Sequence, residues 1–491
     1  MRTAQAERYY ESIIAALKEQ RYTEAERGAI EEIRRAPLAP QAWTLLGEAL
    51  LHQGYGHAAR KTFGRAWLLD PEAAWVEQVE QALKRTQPGP SRADIDELLQ
   101  VKRVTVTVGI IARDEERTIR RCLASLQGAV DDIVVVDCES KDATASIAAE
   151  FPGVKIVRTS WNNDFSALRN AGLAVMNTDW VLWIDADEEL HPDDVTAVRE
   201  VAGLYDDMDV PSVLYIWQVN RIAGSVRHEF SQTRMFPLRY GLRYHGRVHE
   251  QVGPREGSIY SQVTYRKPVR IRLLHDGYEP DIVKQKDKIS RNLRLLEMMV
   301  KEEPDNPGWW MYYARESLAA GQTEQALEAI RRTEETALHQ PRFGRLLDAL
   351  MLKAKIHLAA RRWDEVEEAC MKALELDADF PDAQFYLATA KLHRGAELHR
   401  EAEKLLRQSK DSFKRYRGTV SPDHEIAQWK ADVSLADIAR SVGKFADATQ
   451  MYQQVQARAP YVHQIHKPLQ RMEEQYRKLQ ELMNRPDGRS K

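Results

Sequence analysis

Four polar segments concentrate side chains that can bind a cation, grip an anion or exchange a proton. The first is Ala112-Arg113-Asp114-Glu115-Glu116, and the second is Asp137-Cys138-Glu139-Ser140-Lys141-Asp142-Ala143-Thr144. The third runs Trp161-Asn162-Asn163-Asp164-Phe165-Ser166-Ala167-Leu168-Arg169-Asn170, and the fourth is Asp185-Ala186-Asp187-Glu188. Carboxylates offer oxygen ligands to hard cations, and an arginine offers paired N–H donors to an anion. Each segment also has a plainer use, as a helix cap. Ser, Asp and Asn ahead of a helix satisfy its free N–H groups, and acids suit its positive end. For Asp142, Thr144 or Asp164 taken singly, capping is at least as good an account. What lifts the group above its parts is order: each segment follows a hydrophobic run along one stretch of chain.

Those runs must be the elements that position them. Val104–Ala112 reads as a strand, Glu116–Leu126 as a helix, Ile133–Val136 as a short buried strand and Ala143–Glu150 as a helix. Val154–Val157 is again a strand, Ser166–Met176 a helix and Trp180–Ile184 a buried strand. Alternation of strand and helix at this spacing implies a parallel sheet. Ligands of such sheets bind beyond the carboxyl ends of the strands, where all four polar segments fall. Residues 212–274 are mixed, with strands, turns and aromatics. Ile282–Lys301 reads as a long helix.

Repeats flank this region. Tyr9 and Trp43, Ala25 and Ala59, and Pro37 and Pro71 are pairs at the same spacing along the chain. The second unit reads Trp43, Leu46, Gly47, Leu50, Gly54, Tyr55, Ala59, Phe63, Ala66, Pro71, which resembles the tetratricopeptide (TPR) pattern. Gly47 and Ala59 let two antiparallel helices approach, Trp43, Leu46 and Phe63 fill the groove, and Pro71 ends the pair. The pattern returns at Trp310, Tyr313, Ala314, Gly321 and Ala326. It is looser at Ala354, Trp363 and Ala373, then at Leu387, Ala388, Gly395 and Ala402, and clear again from Leu435 to Pro460. The expected organisation is therefore TPR-like repeats at 1–84, a Pro-containing linker at 85–102, an α/β domain at 103–280, a connecting helix at 281–303, further TPR-like repeats at 304–484 and a disordered tail at 485–491.

Composition narrows the class. The 71 basic and 74 acidic residues leave a net charge of -3, which argues against nucleic acid as partner. No apolar run is long enough for a transmembrane helix, and the polar stretch Met1–Glu11 does not read as a signal peptide. The three cysteines, Cys122, Cys138 and Cys370, form no C-x-x-C pair, so a reduced, cytoplasmic protein is expected.

From about Val104 to Tyr278 the sequence resembles the inverting glycosyltransferases of family two, which have the GT-A fold. The residues that carry the resemblance are Asp114-Glu115, Asp137-x-x-Ser140-x-Asp142-x-Thr144, Arg169-Asn170 and Asp185-x-Asp187-Glu188. Gly246-Arg247-Val248-His249-Glu250 and Leu274-His275-Asp276-Gly277-Tyr278 follow later. The Gln-x-x-Arg-Trp motif of processive polysaccharide synthases is absent. The resemblance implies a donor site for a nucleoside diphosphate sugar, a UDP-sugar above all, built from Ala112, Asp114, Glu115, Asp137, Ser140, Asp142, Arg169 and Asp185. It implies Asp187 as ligand of Mg²⁺ or Mn²⁺, with His275 completing the metal shell or serving as an ordinary strand-end histidine. A divalent cation suits the charge that grows on the leaving diphosphate. An inverting transfer needs one general base on the acceptor. The resemblance implies Glu250, with His249 as rival; on a strand the two would face opposite ways. Glu250 paired with Arg247 or Arg243, and Arg169 paired with a nearby acid, are the structural alternatives. Trp161, Trp217 and Tyr244 suit either sugar stacking or core packing.

Together with the repeats, the pattern resembles bacterial enzymes that glycosylate proteins or peptides, of the flagellin and bacteriocin types. The expectation is a hexosyl- or N-acetylhexosaminyltransferase, with UDP-glucose or UDP-GlcNAc as typical donors. The repeats would hold a protein or peptide acceptor or form a homodimer. The alternatives are an enzyme of cell-surface or lipid-linked glycan, and a TPR scaffold bearing an inactive transferase fold.

Overall fold

The computed structural model describes residues 2–222, 225–275, 288–412 and 423–483. Asp276–Tyr278, residues 282–287 of the expected long helix and the expected tail from Arg485 lie outside the described residues. The chain forms two compact units, Met1–Arg345 and Leu346–Lys491. The first holds every segment singled out above for chemistry.

Its centre is a mixed sheet. The strands are β1 (Val106–Ala112), β2 (Asp132–Asp137), β3 (Val154–Arg158), β4 (Trp180–Asp185), β5 (Glu188–Leu190), β6 (Ser212–Ile222), β7 (Ser225–Glu229), β8 (Thr233–Pro237), β9 (Arg243–His245), β10 (Gln251–Gly253) and β11 (Tyr265–His275). The order is β3-β2-β1-β4-β8-β6-β11-β5, with β7 added to β6 and β9–β10 forming a separate two-stranded ribbon. The strands β1 to β4 are parallel, as the strand–helix alternation requires, and β8 reverses direction beside β4. In β1 and β4 nearly every residue is buried, the mark of a sheet covered on both faces. The α/β fold class with flanking helical hairpins agrees with the sequence expectation. The strands β2, β3 and β4 extend the expected ones by a residue or two, whereas β1 starts two residues later than expected, at Val106.

The register aligns the strand ends. Ala112 pairs with Asp137, and Ile111 with Asp185. The carboxyl ends of β1, β2 and β4 thus present Arg113, Cys138 and Ala186 at one edge.

The amino-terminal helices Pro40–His52 and Gly56–Leu69 pair as the repeat pattern predicts. Trp43 and Leu46 are buried, and a methyl group on Gly47 would meet the Phe63 ring at 2.9 Å. This block packs on the α/β domain. The Arg270 and Arg272 guanidinium groups lie 4.5 and 5.3 Å from the centre of the Trp67 ring, and Arg65 pairs with Glu200 at 2.7 Å. The stretch expected as linker contains a short helix, Ala93–Leu98, because Ile95 finds a fully buried site.

Two helices follow the sheet in the same unit, Lys288–Glu302 and Pro307–Ala319, and the second pairs with Thr323–Ala337 in the expected repeat manner. The second unit continues with helical hairpins. One difference from expectation stands out there. Residues Leu387 to Ala402 lie in a single 32-residue helix, Pro381–Ser412, and not in a helix–turn–helix repeat. Gly321 takes left-handed backbone (φ 79°) between paired helices, whereas Gly395 stays helical. Its neighbours are strong helix formers, and one interior glycine costs only about 1 kcal/mol.

Candidate active site

A cavity of about 860 Å³ opens at the carboxyl edge of the sheet. Its walls include Arg113, Glu115, Arg169, Asp185, Asp187, Glu250, His249 and His275, together with Arg234, Arg291, Tyr312, Arg315 and Glu316.

The loops after β1 and β2 are tied to each other. The Asp114 amide donates to Ser140 Oγ (3.1 Å), and the Lys141 amide donates to Asp114 Oδ1 (2.7 Å). The amides of Glu115 and Glu116 donate to Thr144 Oγ1 (2.7 Å) and Asp142 Oδ2 (3.0 Å). Asp142 also accepts from the Thr144 amide, and burial of its carboxyl is outweighed by these bonds, which hold it below the usual range. Asp137 is buried and accepts from the Ser140 amide at 3.3 Å. Ala112, Asp114, Asp137, Ser140 and Asp142 are not among the cavity-lining residues, whereas Glu115, Arg169 and Asp185 are.

The end of β4 is arranged differently. Asp185 lies between two guanidinium groups: Arg234 Nη2 reaches its Oδ2 at 2.7 Å, and Arg169 Nη2 its Oδ1 at 3.3 Å. Burial opposes charge on Asp185, yet Arg234 and Arg169 outweigh it and hold the carboxyl well below the usual range. Arg234, on β8, is almost wholly buried and also binds the fully buried Glu188 at 2.8 Å. Burial pushes the Glu188 carboxyl up against the pull of Arg234. The Glu188 side chain accepts from the Asp185 amide (2.9 Å) and from Gln218, so it braces the turn that carries Asp185.

Arg169, on helix Phe165–Leu173, joins Asp185 to the Gly246–Glu250 segment. Its Nε donates to Glu250 Oε1 at 3.0 Å, and its guanidinium lies 5.1 Å from the Trp183 ring and 5.2 Å from Tyr244. Glu250 therefore pairs with Arg169; Arg247 pairs with Glu302 at 2.7 Å. Arg169 Nη1 is buried with no hydrogen-bond partner among the described residues, an orphan donor at a cavity wall that suits a ligand oxygen.

The Gly246–Glu250 segment is the loop between β9 and β10, not a strand, because Gly246 and His249 both take left-handed backbone (φ 91° and 54°). Only glycine fits at 246, where a Cβ would lie 2.7 Å from the Trp309 ring. Both His249 and Glu250 consequently reach the cavity wall, and they part there. The His249 ring stacks on Tyr312 (centroids 4.6 Å apart), and its Nε2 lies 3.0 Å from Glu316 Oε1. Burial lowers the His249 imidazole pKa despite the Glu316 carboxylate.

Asp187 and His275 meet across the cavity floor, with Asp187 Oδ2 and His275 Nε2 3.3 Å apart. His275 Nδ1 lies 2.8 Å from Asn220 Oδ1, and a proton held on Nδ1 by that contact would leave the Nε2 lone pair for a cation. Among the described residues no three His, Cys, Asp or Glu side chains gather as a protein-only metal cage. The pair fits a cation that takes its remaining ligands from a bound phosphate, as Mg²⁺ commonly does. Of the aromatics, Trp161 and Tyr244 line the cavity, whereas Trp217 packs against His228 and Trp67.

Arg234 and the helix residues Arg291, Tyr312, Arg315 and Glu316 were not foreseen from the sequence. A lone arginine inside the wholly buried run Thr233–Pro237 is a signal for a buried carboxylate partner. The helix residues sit at positions that the repeat pattern leaves free.

Comparison with known proteins accords with this geometry. Residues 107–253 match the family described as Glycosyl transferase family 2. The chain is 31% identical over 231 residues to the SPbeta prophage-derived glycosyltransferase SunS of Bacillus subtilis, covering 47% of this chain and 53% of that protein. It is 31% identical over 208 residues to a TPR repeat-containing protein of Synechococcus elongatus, covering 41% and 49%. The chain thus spans about half the length of the curated relatives it matches. The crystal structure of TarS from S. aureus aligns over 53% of this chain and 54% of its own, with 13% identity and a TM-score of 0.32, too loose to carry an argument. Residues 107–253 of this chain are a glycosyltransferase domain of family 2, joined to TPR-like helical repeats.

Proposed function

We propose that the chain transfers a sugar, with inversion, from a nucleoside diphosphate sugar to a side chain of a protein or peptide. The observation that carries the reading is the run of charge Asp185–Arg169–Glu250 in one cavity, with Asp187 and His275 on the same wall. Similarity to SunS, itself a glycosyltransferase, favours a related activity, and the sequence pattern of peptide-modifying enzymes favours a peptide acceptor. A UDP-sugar is the donor that the family pattern favours.

Glu250 Oε1 accepts from Arg169, which leaves Oε2 as the oxygen for the acceptor's proton. Oε2 takes the proton of the acceptor hydroxyl or thiol as its lone pair forms a bond to the anomeric carbon. The bond from that carbon to the diphosphate oxygen breaks, and the nucleoside diphosphate leaves with the electron pair. Arg169 orients Glu250 through its Nε, and its orphan Nη1 donates to a phosphate oxygen. Asp187 and His275 would hold Mg²⁺ or Mn²⁺, which supplies charge neutralisation for the leaving diphosphate. Asp185, kept ionised by its two arginines, is placed to accept from a donor hydroxyl.

The test is intact-mass measurement of candidate protein and peptide acceptors incubated with the full chain, UDP-sugars and Mn²⁺. The reading expects gain of one sugar, loss of transfer with a chelator, and a fall of roughly 10³-fold in Asp187→Ala with the fold retained. Donor turnover in which no polypeptide gains mass, or Asp187→Ala transferring at nearly the parent rate, contradicts it.

A further inference from the structure

The wall beyond Glu250 comes from the helices after the sheet. His249 stacks on Tyr312, and the guanidinium groups of Arg315 and Arg345 lie 5.1 and 5.0 Å from the centre of the same ring. Arg315 is 46% exposed, and its nearest carboxylate, Glu316 at 3.7 Å, is already engaged with His249. Arg291 packs 5.2 Å from the Phe165 ring and donates to Asn292 Oδ1 at 3.1 Å. No carboxylate lies within ion-pair distance of it among the described residues; the nearest acidic influences on it are Glu250 and Glu316. Burial pulls its pKa down, the mark of a cation short of compensating charge. A half-buried guanidinium with no counter-ion among the described residues is costly, and an arriving carboxylate removes that cost. Arg113 and Arg169 are the cations beside the strand ends, whereas Arg291 and Arg315 stand on the helices beyond Glu250, with Arg315 Nη2 3.3 Å from the His249 ring nitrogens.

We propose that Arg291 and Arg315, on the cavity wall that Tyr312 also lines, select polypeptide acceptors bearing Asp or Glu next to the modified residue. The inference rests on the peptide-acceptor reading above. The helical hairpin then acts in recognition at the reacting centre itself. The contacts are partly exposed ion pairs, so their combined effect on affinity is about tenfold and weakens with salt.

The experiment uses the full chain and fluorescein-labelled short peptides with a central serine, flanked by glutamate or by asparagine, with binding read by anisotropy in the presence of UDP. The glutamate peptide should bind about tenfold tighter, and Arg291→Gln with Arg315→Gln should bring the two within about twofold. Arg291→Lys should keep most of the preference, and thermal melts check that each variant folds. Equal binding of both peptides, binding of neither, or a preference untouched by the variants overturns the proposal. So does a loss of UDP affinity in Arg291→Gln with the peptide preference unchanged, which assigns the arginine to the diphosphate. Sugar transfer to both peptides with equal efficiency sinks this proposal and leaves the transferase reading standing. Tight, charge-selective binding of a peptide that never gains a sugar does the reverse.

Discussion

At the ends of β1 and β2 the polar side chains bond backbone amides of the neighbouring loop, whereas at the end of β4 they bond one another and face the cavity. Asp114, Ser140, Asp142 and Thr144 each accept from an amide within the paired loops. Asp185, Arg169, Arg234 and Glu250 come from four separate elements and form one chain of ion pairs. The first region holds shape by hydrogen bonds that any cap could make. The second region holds charge, and removing one member strands the others. Residues of the same types at the same sheet edge thus differ in what their loss should do.

The largest effect on the fold should come from Arg234→Met. It leaves Glu188 buried without its cation and Asp185 with one arginine in place of two. Breaking a buried pair on one side costs roughly 3–5 kcal/mol, so denaturant melts should show a loss of that order. A loss below about 1 kcal/mol, as for an exposed pair, would mean that the charge chain is not a structural unit.

A smaller effect, readable by pH, belongs to His249. Burial holds its imidazole below the ordinary value, with Glu316 and Glu250 pulling up and Arg315 pulling down. The folded chain takes this proton less readily than the unfolded chain. The stability it contributes is therefore complete above about pH 6.5 and fades as pH falls through the lower folded value. His249→Gln should reduce the drop in melting temperature between about pH 7.5 and about pH 5. An unchanged drop removes His249 from the account of how the β9–β10 loop is held on Tyr312.

The smallest effect should be that of Asp142→Ala. Two amides lose an acceptor, at about 1–2 kcal/mol of stability, while the transfer rate stays within about tenfold of the parent. A loss of transfer as deep as that of a cavity residue would erase the distinction between the two regions.

The contrast also explains what the sequence made legible. Strand and helix periods are local, so β1 to β4 and their parallel pairing could be read from alternation, and Asp185 and Asp187 from their place after a buried run. Whether a strand-end acid caps a helix or faces a ligand depends on partners far away in the chain. Asp185 meets Arg234 49 residues on, and Arg169 meets Glu250 81 residues on. No local pattern carries those pairings. On a strand His249 and Glu250 would face opposite ways, but left-handed backbone at Gly246 and His249 turns the segment and sends both side chains to the cavity. The repeat pattern fixed Tyr313 and Ala314 as packing residues. It was silent on Tyr312, Arg315 and Glu316, which the helix turns toward the site.

In the proposed mechanism Glu250, tethered by Arg169, removes the acceptor's proton. The direct measurement is the single-turnover transfer rate of Glu250→Gln, beside His249→Gln, on an acceptor that the parent chain modifies, with UDP affinity measured in parallel. Glutamine keeps the size of the side chain and an oxygen for Arg169 but cannot take the proton, so the rate should fall by about 10²–10⁴-fold with UDP affinity unchanged. His249→Gln should cost less. A Glu250→Gln rate close to the parent's, with His249→Gln the more damaging change, would contradict the claim and give the proton to the histidine.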